Sequence, residues 1–204
     1  MKNVIICVGR NFGSGGHVVA KAIAEKLSIP FYDGELITRA AQESGLSKDF
    51  FKTHDEVRGV FSTIKTYFSN SWSSSEVDIE LFKYQSEAIR NIAKQGSAVM
   101  VGRCCDYVLR QSGEVNVLSV FITAPLEARI ERVCDREGLS REAAEDKIAR
   151  CDRRRETYYN HYTFGNWGYA SNYDICIDTS ILGIDATADY IIGFLKQCFE
   201  EEAI

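Results

Sequence analysis

Short apolar runs separated by longer amphipathic stretches set the pattern of this chain. The first run, residues 4–8, predicts a buried β-strand, and later runs at 30–32, 97–101, 115–123 and 173–180 predict four more. These strands are separated by helical patterns, and most of them are apolar on both faces. This alternation is typical of a parallel sheet covered by helices on two sides, so the fold class is α/β with three layers.

Helical periodicity predicts the layers that cover the sheet. The predicted helices span residues 18–27, 35–43, 77–94, 126–136, 140–154 and 185–201. In the first of them the apolar positions Val18, Val19, Ala22, Ile23 and Leu27 recur at the spacing of a buried helix face. The pattern predicts that residues 47–95 are mainly helical, with the polar stretch 69–75 as a mobile loop. The apolar face of the 77–94 helix could support a homo-oligomer.

A glycine-rich turn joins the first strand to the first helix and predicts a phosphate cradle. Gly13, Gly15 and Gly16 allow successive backbone N–H groups to turn inward around an anion, and the helix adds its positive end. A plain strand-to-helix connection is the alternative, but three glycines within four residues exceed what such a turn requires. The loop lacks the lysine and hydroxyl of the GxxxxGK[ST] pattern. Arg10 or His17 could supply the positive charge, and Arg10 is preferred because it stays charged at physiological pH.

Composition limits the classes of function. The net charge of −5 and the pI near 5.3 argue against broad nucleic-acid binding. The apolar runs are too short for a membrane span or a secretory signal, so we expect a cytoplasmic protein without membrane partners. The seven cysteines are odd in number and lack metal-ligand spacing, so we expect reduced thiols and no protein-bound metal cluster.

Charged residues at predicted strand ends indicate where a ligand would bind. Asp33 ends the second strand and Arg103 follows the third, and the carboxyl ends of parallel strands face the ligand crevice. Arg129 and Arg132 share a helix face, while arginines at 150, 153, 154 and 155 form a cluster whose alternative interpretation is a solvated helix end. Arginines of this kind neutralise charge on a transferred phosphoryl group.

These motifs together resemble the cytidylate kinase-like family of P-loop nucleoside monophosphate kinases. The segments that carry the resemblance are GSGGHVVAKAIAEKL (13–27), FYDGELITR (31–39), VGR (101–103), APLEARIERV (124–133), RCDRRR (150–155) and YDICIDTS (173–180). The resemblance implies a single three-layer P-loop NTPase domain over residues 1–204. It also implies a phosphate loop at 10–18, a helical acceptor-binding insertion at about 35–95 and an arginine-bearing lid at about 136–165.

The resemblance also implies roles for individual residues. Acceptor binding is expected of Asp33, Arg39, Arg103 and Asp152. Binding of ATP is expected of Gly13, Ser14, Gly15, Gly16, His17, Val18, Arg129 and Arg150. Catalytic roles are expected of Arg10, Asp33, Arg153 and Arg155. The lid residues would close over both sets of phosphates, and the aromatic segment 158–167 after them is expected to pack against the core.

Four positions depart from the family pattern. Gly16 replaces the loop lysine and Val18 the threonine, while Val101 and Thr123 stand where acidic residues often end strands. Magnesium would then be held by the phosphates and water, with Ser14, Asp33 or Asp106 contacting that water. The departures concern catalysis more than binding.

The expected function is ATP-dependent phosphoryl transfer to a nucleoside monophosphate, CMP-like, or a similar small phosphorylated acceptor. A non-catalytic nucleotide-binding protein derived from a kinase is the main alternative, favoured by the missing lysine. A dinucleotide-binding oxidoreductase would explain why Asp33 follows Gly13 by twenty residues. The glycine pattern excludes it, because the third glycine of GxGxxG would fall at Val18.

Overall fold

The computed structural model describes residues 3–43 and 76–199. The interpretation of residues 47–75 as helices with a loop at 69–75, and the last two residues of the predicted closing helix, lie outside these ranges. No helix in the described ranges is both long and apolar enough to cross a membrane.

Five parallel strands form the central sheet, as the alternation of strands and helices predicts. They are β1 (Val4–Arg10), β2 (Phe31–Tyr32), β3 (Ala98–Val101), β4 (Asn116–Thr123) and β5 (Ile175–Asp178), in the spatial order β2-β3-β1-β4-β5. Strand β1 is central, and its Cys7 lies opposite Met100 of β3 and Ser119 of β4. The loops that follow β1, β3 and β4 therefore meet at one edge of the sheet.

Seven helices in the described ranges cover the sheet. They are α1 (Gly16–Leu27), α2 (Gly34–Glu43), α3 (Glu76–Gln95), α4 (Cys105–Ser112), α5 (Leu126–Glu137), α6 (Arg141–Thr163) and α7 (Thr179–Phe199). The sequence pattern did not predict α4, whose eight residues are too few for a clear period. Helix α6 continues to Thr163, well past its predicted end at 154, and α7 contains a kink at Gly183.

Two apolar clusters bury the faces of the sheet. One cluster joins α1 and α7 to residues such as Ile6 and Val120, and the other joins α3 and α4 to Ile5 and Met100. The assignment of Val18 to the buried face of α1 is wrong, since this side chain is 55% exposed. In the helix that begins at Gly16, Val19 and Ile23 are buried against the sheet, whereas Val18 lies on the exposed face.

Asp33 begins α2 and contacts the first helix. Its Oδ1 accepts hydrogen bonds from the backbone N–H groups of Glu35 and Leu36, each at 3.0 Å. His17 Nε2 lies 3.3 Å from Asp33 Oδ2. Burial raises the pKa of Asp33, but the hydrogen bonds from Leu36, His17 and Glu35 outweigh burial and lower it below the ordinary value. Folding therefore favours the charged carboxylate, which caps the helix.

Replacing Asp33 by Ala should lower the free energy of unfolding by about 1 kcal/mol at pH 7, because two helix N–H groups lose their acceptor. Since the folded pKa is depressed, the stabilisation is present above the unfolded pKa and disappears as the pH falls through the folded value. Urea unfolding of the wild type and Asp33→Ala at pH 7 and at about pH 3 measures this. Asp33→Asn, which keeps the Oδ1 acceptor, is the matched control, and an equal cost at both pH values would contradict the prediction.

Candidate functional site

The glycine-rich loop between β1 and α1 forms an open backbone cradle. Gly13 and Gly15 have φ angles of +80° and +81°, which side-chain-bearing residues rarely adopt. Ser14 is fully buried, and its Oγ donates to the carbonyl of Asn11 at 2.9 Å. The backbone N–H groups of Gly13 and Gly15 donate to no group in the described part of the chain. The cradle thus offers N–H donors at the positive end of α1, as an anion requires.

Asp152 of α6 fastens this loop to the rest of the protein. Its Oδ1 accepts from the backbone N–H of Phe12 at 2.6 Å, and its Oδ2 accepts from Arg129 Nη1 at 2.6 Å. The Nδ2 of Asn11 lies 3.3 Å from the same Oδ2. Both charged side chains are mostly buried, with 14% of Arg129 and 17% of Asp152 exposed. Asp152, expected as a substrate ligand, therefore contacts the loop in this structure.

Arg132 and Thr179 hold the loop from the opposite side. Arg132 Nη1 donates to the carbonyl of Ser14 at 3.1 Å and to Thr179 Oγ1 at 2.8 Å. The Thr179 hydroxyl in turn donates to the Ser14 carbonyl at 2.6 Å. The loop is thus fixed by side chains from α5, α6 and α7.

The side chain of Arg10 occupies the space where a lysine of the loop would begin. A Cβ atom on Gly16 would lie only 2.5 Å from Arg10 Cβ and 3.1 Å from Ile122 Cβ. Farther along, a Cβ atom on Gly102 would lie 2.5 Å from Arg10 Nη1. Arg10 therefore passes beside two glycines, and its guanidinium reaches the loop that follows β3.

A cavity of about 180 Å³ opens beside this guanidinium. Its charged and aromatic wall includes Arg10, Arg103, Asp106, Arg154, Arg155 and Tyr158. Gly102, Arg103 and Cys104 form a left-handed turn between β3 and α4, with φ angles of +77°, +57° and +54°. This turn directs both the Arg103 side chain and the N-terminus of α4 to the cavity.

Positive charge dominates the electrostatics of the cavity. Burial lowers the pKa of Arg10 well below its ordinary value, and repulsion by Arg155 and Arg103 lowers it further. Burial also lowers the pKa of Arg155, against the attraction of Asp152. Burial raises the pKa of Asp106, which favours its uncharged form. Guanidinium groups nevertheless stay protonated in proteins, so the cavity favours an anion.

A buried polar chain connects the cavity to α2 and α3. The Tyr158 hydroxyl donates to Gln85 Oε1 at 3.0 Å, and Gln85 Nε2 donates to Thr38 Oγ1 at 2.9 Å. The Tyr158 ring lies 5.5 Å from the Arg103 guanidinium, a cation–π contact. Phe82 of α3 stacks on Tyr162 with ring centroids 4.0 Å apart. Packing of the aromatic segment, as expected from the sequence, therefore joins α6 to α3.

The structure brings some of the predicted site residues together and separates others. Arg10, Arg103 and Arg155 line the cavity. Of the other arginines expected to bind ligand, Arg129 is mostly buried and paired with Asp152. Three more are exposed, namely Arg39, which lies 3.6 Å from Glu43, and Arg150 and Arg153.

His17 is also exposed, next to Asp33, and Val18 lies on the surface beyond the loop. Their roles as ligands stay predictions.

Sequence reasoning missed Arg154, Tyr158 and Tyr159 as cavity residues. Asp106 was considered only as a contact for metal-bound water. Helical spacing could have identified them. If α6 continues past its predicted end at 154, positions 154, 155, 158 and 159 share one face. In the described ranges, no group of three His, Cys, Asp or Glu side chains is arranged to hold a metal ion.

The fold and the loop define the class of protein. A glycine-rich loop between the central strand of a parallel sheet and the following helix, with helices on both faces, is the arrangement of P-loop α/β proteins.

Comparison with known proteins defines the family. The model of the cytidylate kinase-like family matches residues 5–181. The cytidylate kinase of Methanocaldococcus jannaschii is 30% identical over 178 residues, which cover 87% of this chain and 89% of that protein. The chain therefore belongs to the cytidylate kinase-like family, a family of kinase-like phosphotransferases.

Two solved structures share the fold of this chain. The crystal structure of an uncharacterized protein from Eubacterium ventriosum has a TM-score of 0.73 and 31% identity, covering 95% of this chain and 98% of that one. A shikimate kinase from Bacteroides thetaiotaomicron, with a TM-score of 0.54 and 16% identity over 95% of this chain and 98% of its own, shares the fold alone.

Replacing Gly16 by Ala should destabilise the protein by about 1–3 kcal/mol, because the new Cβ has no room beside Arg10. Replacing Arg10 by Gly removes the closest atom, so the double variant should recover part of the loss. Urea unfolding of the wild type, both single variants and the double variant measures this coupling. Strictly additive effects would show that Arg10 does not determine the glycine at position 16.

Replacing Asp152 by Ala should cost on the order of 2–4 kcal/mol, because Arg129 then keeps a mostly buried charge without its partner. Adding Arg129→Met removes that charge and should restore part of the stability. Thermal and urea unfolding of the three variants give the comparison. Lack of any recovery in the double variant would argue that Asp152 acts only through its bond to Phe12.

Proposed function

We propose that the protein catalyses ATP-dependent phosphoryl transfer to a small phosphorylated acceptor in the cytoplasm. A nucleoside monophosphate is the first candidate for the acceptor. The observation that carries the proposal is that a backbone N–H cradle and an arginine-lined cavity lie side by side. The glycine-rich loop lies at the end of β1, and the arginine-lined cavity opens between the ends of β1 and β3.

The chemistry of phosphoryl transfer suits this arrangement. Such a reaction needs two phosphates held close together and positive groups around the moving phosphoryl, and it needs little covalent chemistry from the protein. In our proposal the loop binds the triphosphate through backbone N–H groups. Arg103 and Arg155 bind the acceptor phosphate in the cavity. The exposed Arg39, Arg150 and Arg153 are proposed to contact the outer phosphates of the bound substrates.

Magnesium is proposed to enter with the triphosphate. When bound, it would neutralise phosphate charge and orient the phosphates for transfer. The Ser14 hydroxyl is already used within the loop, and Asp33 Oδ1 caps α2. Asp33 Oδ2, beside His17, is the carboxylate oxygen we propose to contact water around the ion.

The named relatives support the nucleotide part of the proposal. The matched protein of Methanocaldococcus jannaschii is a cytidylate kinase, and the shared segments include both the loop and the end of β3. The choice among bases depends on the few side chains that would contact the base, so CMP and dCMP are the first acceptors to test.

The direct test is ADP release from ATP and Mg²⁺ with a panel of nucleoside monophosphates that includes CMP and dCMP. A reaction without acceptor measures background hydrolysis. We expect ADP release that depends on one acceptor of the panel. Binding of ATP without acceptor-dependent release for any monophosphate would contradict the proposal and indicate a nucleotide-binding protein without this activity.

Arg103→Met should raise the KM for the acceptor by about tenfold or more, because a charge-assisted hydrogen bond to phosphate is lost. The KM for ATP should change little, since the loop is untouched. Steady-state rates with each substrate varied in turn measure the two values. Arg141→Met removes a charge at an exposed site paired with Glu127 and is the control. An unchanged acceptor KM in Arg103→Met would remove this residue from the acceptor site.

A further inference from the structure

Arg10 is placed to serve the cavity rather than the triphosphate cradle. Its Cβ and Cγ fill the space beside Gly16, where the lysine of other phosphate loops starts. Its Nη1 lies against Gly102 at the end of β3, and its side chain lines the cavity. The positive charge of Arg10 therefore lies at the cavity, although the residue itself stands at the end of β1.

The described residues do not use all the hydrogen-bond donors of the Arg10 guanidinium. Its Nε is buried and has no hydrogen-bond acceptor among the described residues. Arg10, Arg154 and Arg155 form no salt bridge with a carboxylate in residues 3–43 and 76–199. Arg155 instead donates to the backbone carbonyl of Arg10 at 2.8 Å. Partly buried guanidinium groups that repel one another, and that form no salt bridge with a described carboxylate, are stabilised by an anionic ligand.

We propose that Arg10 binds the phosphate of the acceptor in this cavity, and that Gly16 is glycine because Arg10 passes beside it. The proposal deepens the proposed function, on which it rests for naming the anion as the acceptor's phosphate. In this proposal Arg10 supplies the positive charge that the missing lysine would bring, but at the cavity rather than at the triphosphate cradle.

The number of positive groups specifies the kind of anion. Arg10, Arg103, Arg154 and Arg155 line one small cavity, and the nearby carboxyl of Asp106 is buried and bonded to the Tyr159 hydroxyl at 3.1 Å. A carboxylate brings one negative charge and two oxygens. A phosphate monoester brings up to two charges and three oxygens, which match several guanidinium groups at once. The cavity therefore selects a phosphate monoester over a carboxylate.

Two titrations by calorimetry test the proposal on the full chain. The first measures the affinity for the non-hydrolysable ATP analogue AMP-PNP in the presence of Mg²⁺, which reports on the loop. The second measures the affinity for inorganic phosphate with AMP-PNP already saturating the loop, so that phosphate can report only on the cavity. The affinity for acetate is measured in the same way. The proteins are the wild type, Arg10→Met and the charge control Arg141→Met.

Arg10→Met should weaken phosphate binding by about tenfold or more and leave AMP-PNP affinity nearly unchanged. Acetate should bind much more weakly than phosphate to the wild type. Loss of AMP-PNP affinity with unchanged phosphate affinity would overturn the proposal and assign Arg10 to the triphosphate. No effect on either titration would also overturn it, as would equal binding of acetate and phosphate.

Thermal unfolding separates a binding role from a folding role. Since the partly buried guanidinium of Arg10 forms no salt bridge with a described residue, Arg10→Met should unfold at the same or a higher temperature than the wild type when no anion is added. Phosphate should raise the unfolding temperature of the wild type and of Arg141→Met more than that of Arg10→Met. A strongly lowered unfolding temperature in Arg10→Met without anion would show a structural role instead.

Failure of the proposed function would leave a different pattern. If no acceptor supports ADP release while phosphate binding still depends on Arg10, the cavity is an anion site and the kinase proposal is wrong. If acceptor-dependent release occurs and Arg10→Met keeps both its phosphate affinity and its acceptor KM, the inference about Arg10 is wrong and the kinase proposal stands.

Discussion

The partly buried positive charge of Arg10, whose Nε is shielded from solvent, is the constraint on which the site depends. Moving a charge out of water is costly, and no carboxylate in the described part of the chain forms a salt bridge with it. The chain accommodates the side chain through geometry instead. Glycines at positions 16 and 102 leave room for it, and the centre of a buried sheet fixes its backbone. A loop that carried a lysine at position 16 could not coexist with this arginine in its present path.

Helix α6 connects the parts around that charge. Asp152 holds the phosphate loop, Arg155 holds the end of β1, and Tyr158 and Tyr162 pack against α3. These contacts come from successive turns of one uninterrupted helix of 23 residues, about 35 Å in length. The glycine-rich loop and the cavity therefore share one helix as a wall, and the repeat of that helix spaces the residues that contact each of them.

Much of the fold follows from local patterns in the sequence. The positions and contacts of the individual arginines do not. Continuous apolar runs predict the parallel sheet because both of its faces are buried. The positions of Arg103 and Asp33 follow from their places at strand ends. The path of Arg10 could not be predicted, since it depends on the separation of Gly16 and Gly102, which are distant in sequence. Arg153, which is exposed, and Arg155, which is partly buried, lie on different faces of α6, and their contacts arise from tertiary packing.

The left-handed turn at the end of β3 has a consequence for how long the cavity keeps its shape. Arg103 and Cys104 both hold backbone angles that cost non-glycine residues on the order of 1 kcal/mol each. Such a turn persists only where its surroundings impose it, and here the buried α4 and β3 do so. The main chain thus fixes where the Arg103 side chain leaves the turn, without a bound ligand. In the proposed reaction, the main chain at this turn would need no reordering between the departure of a product and the binding of the next acceptor.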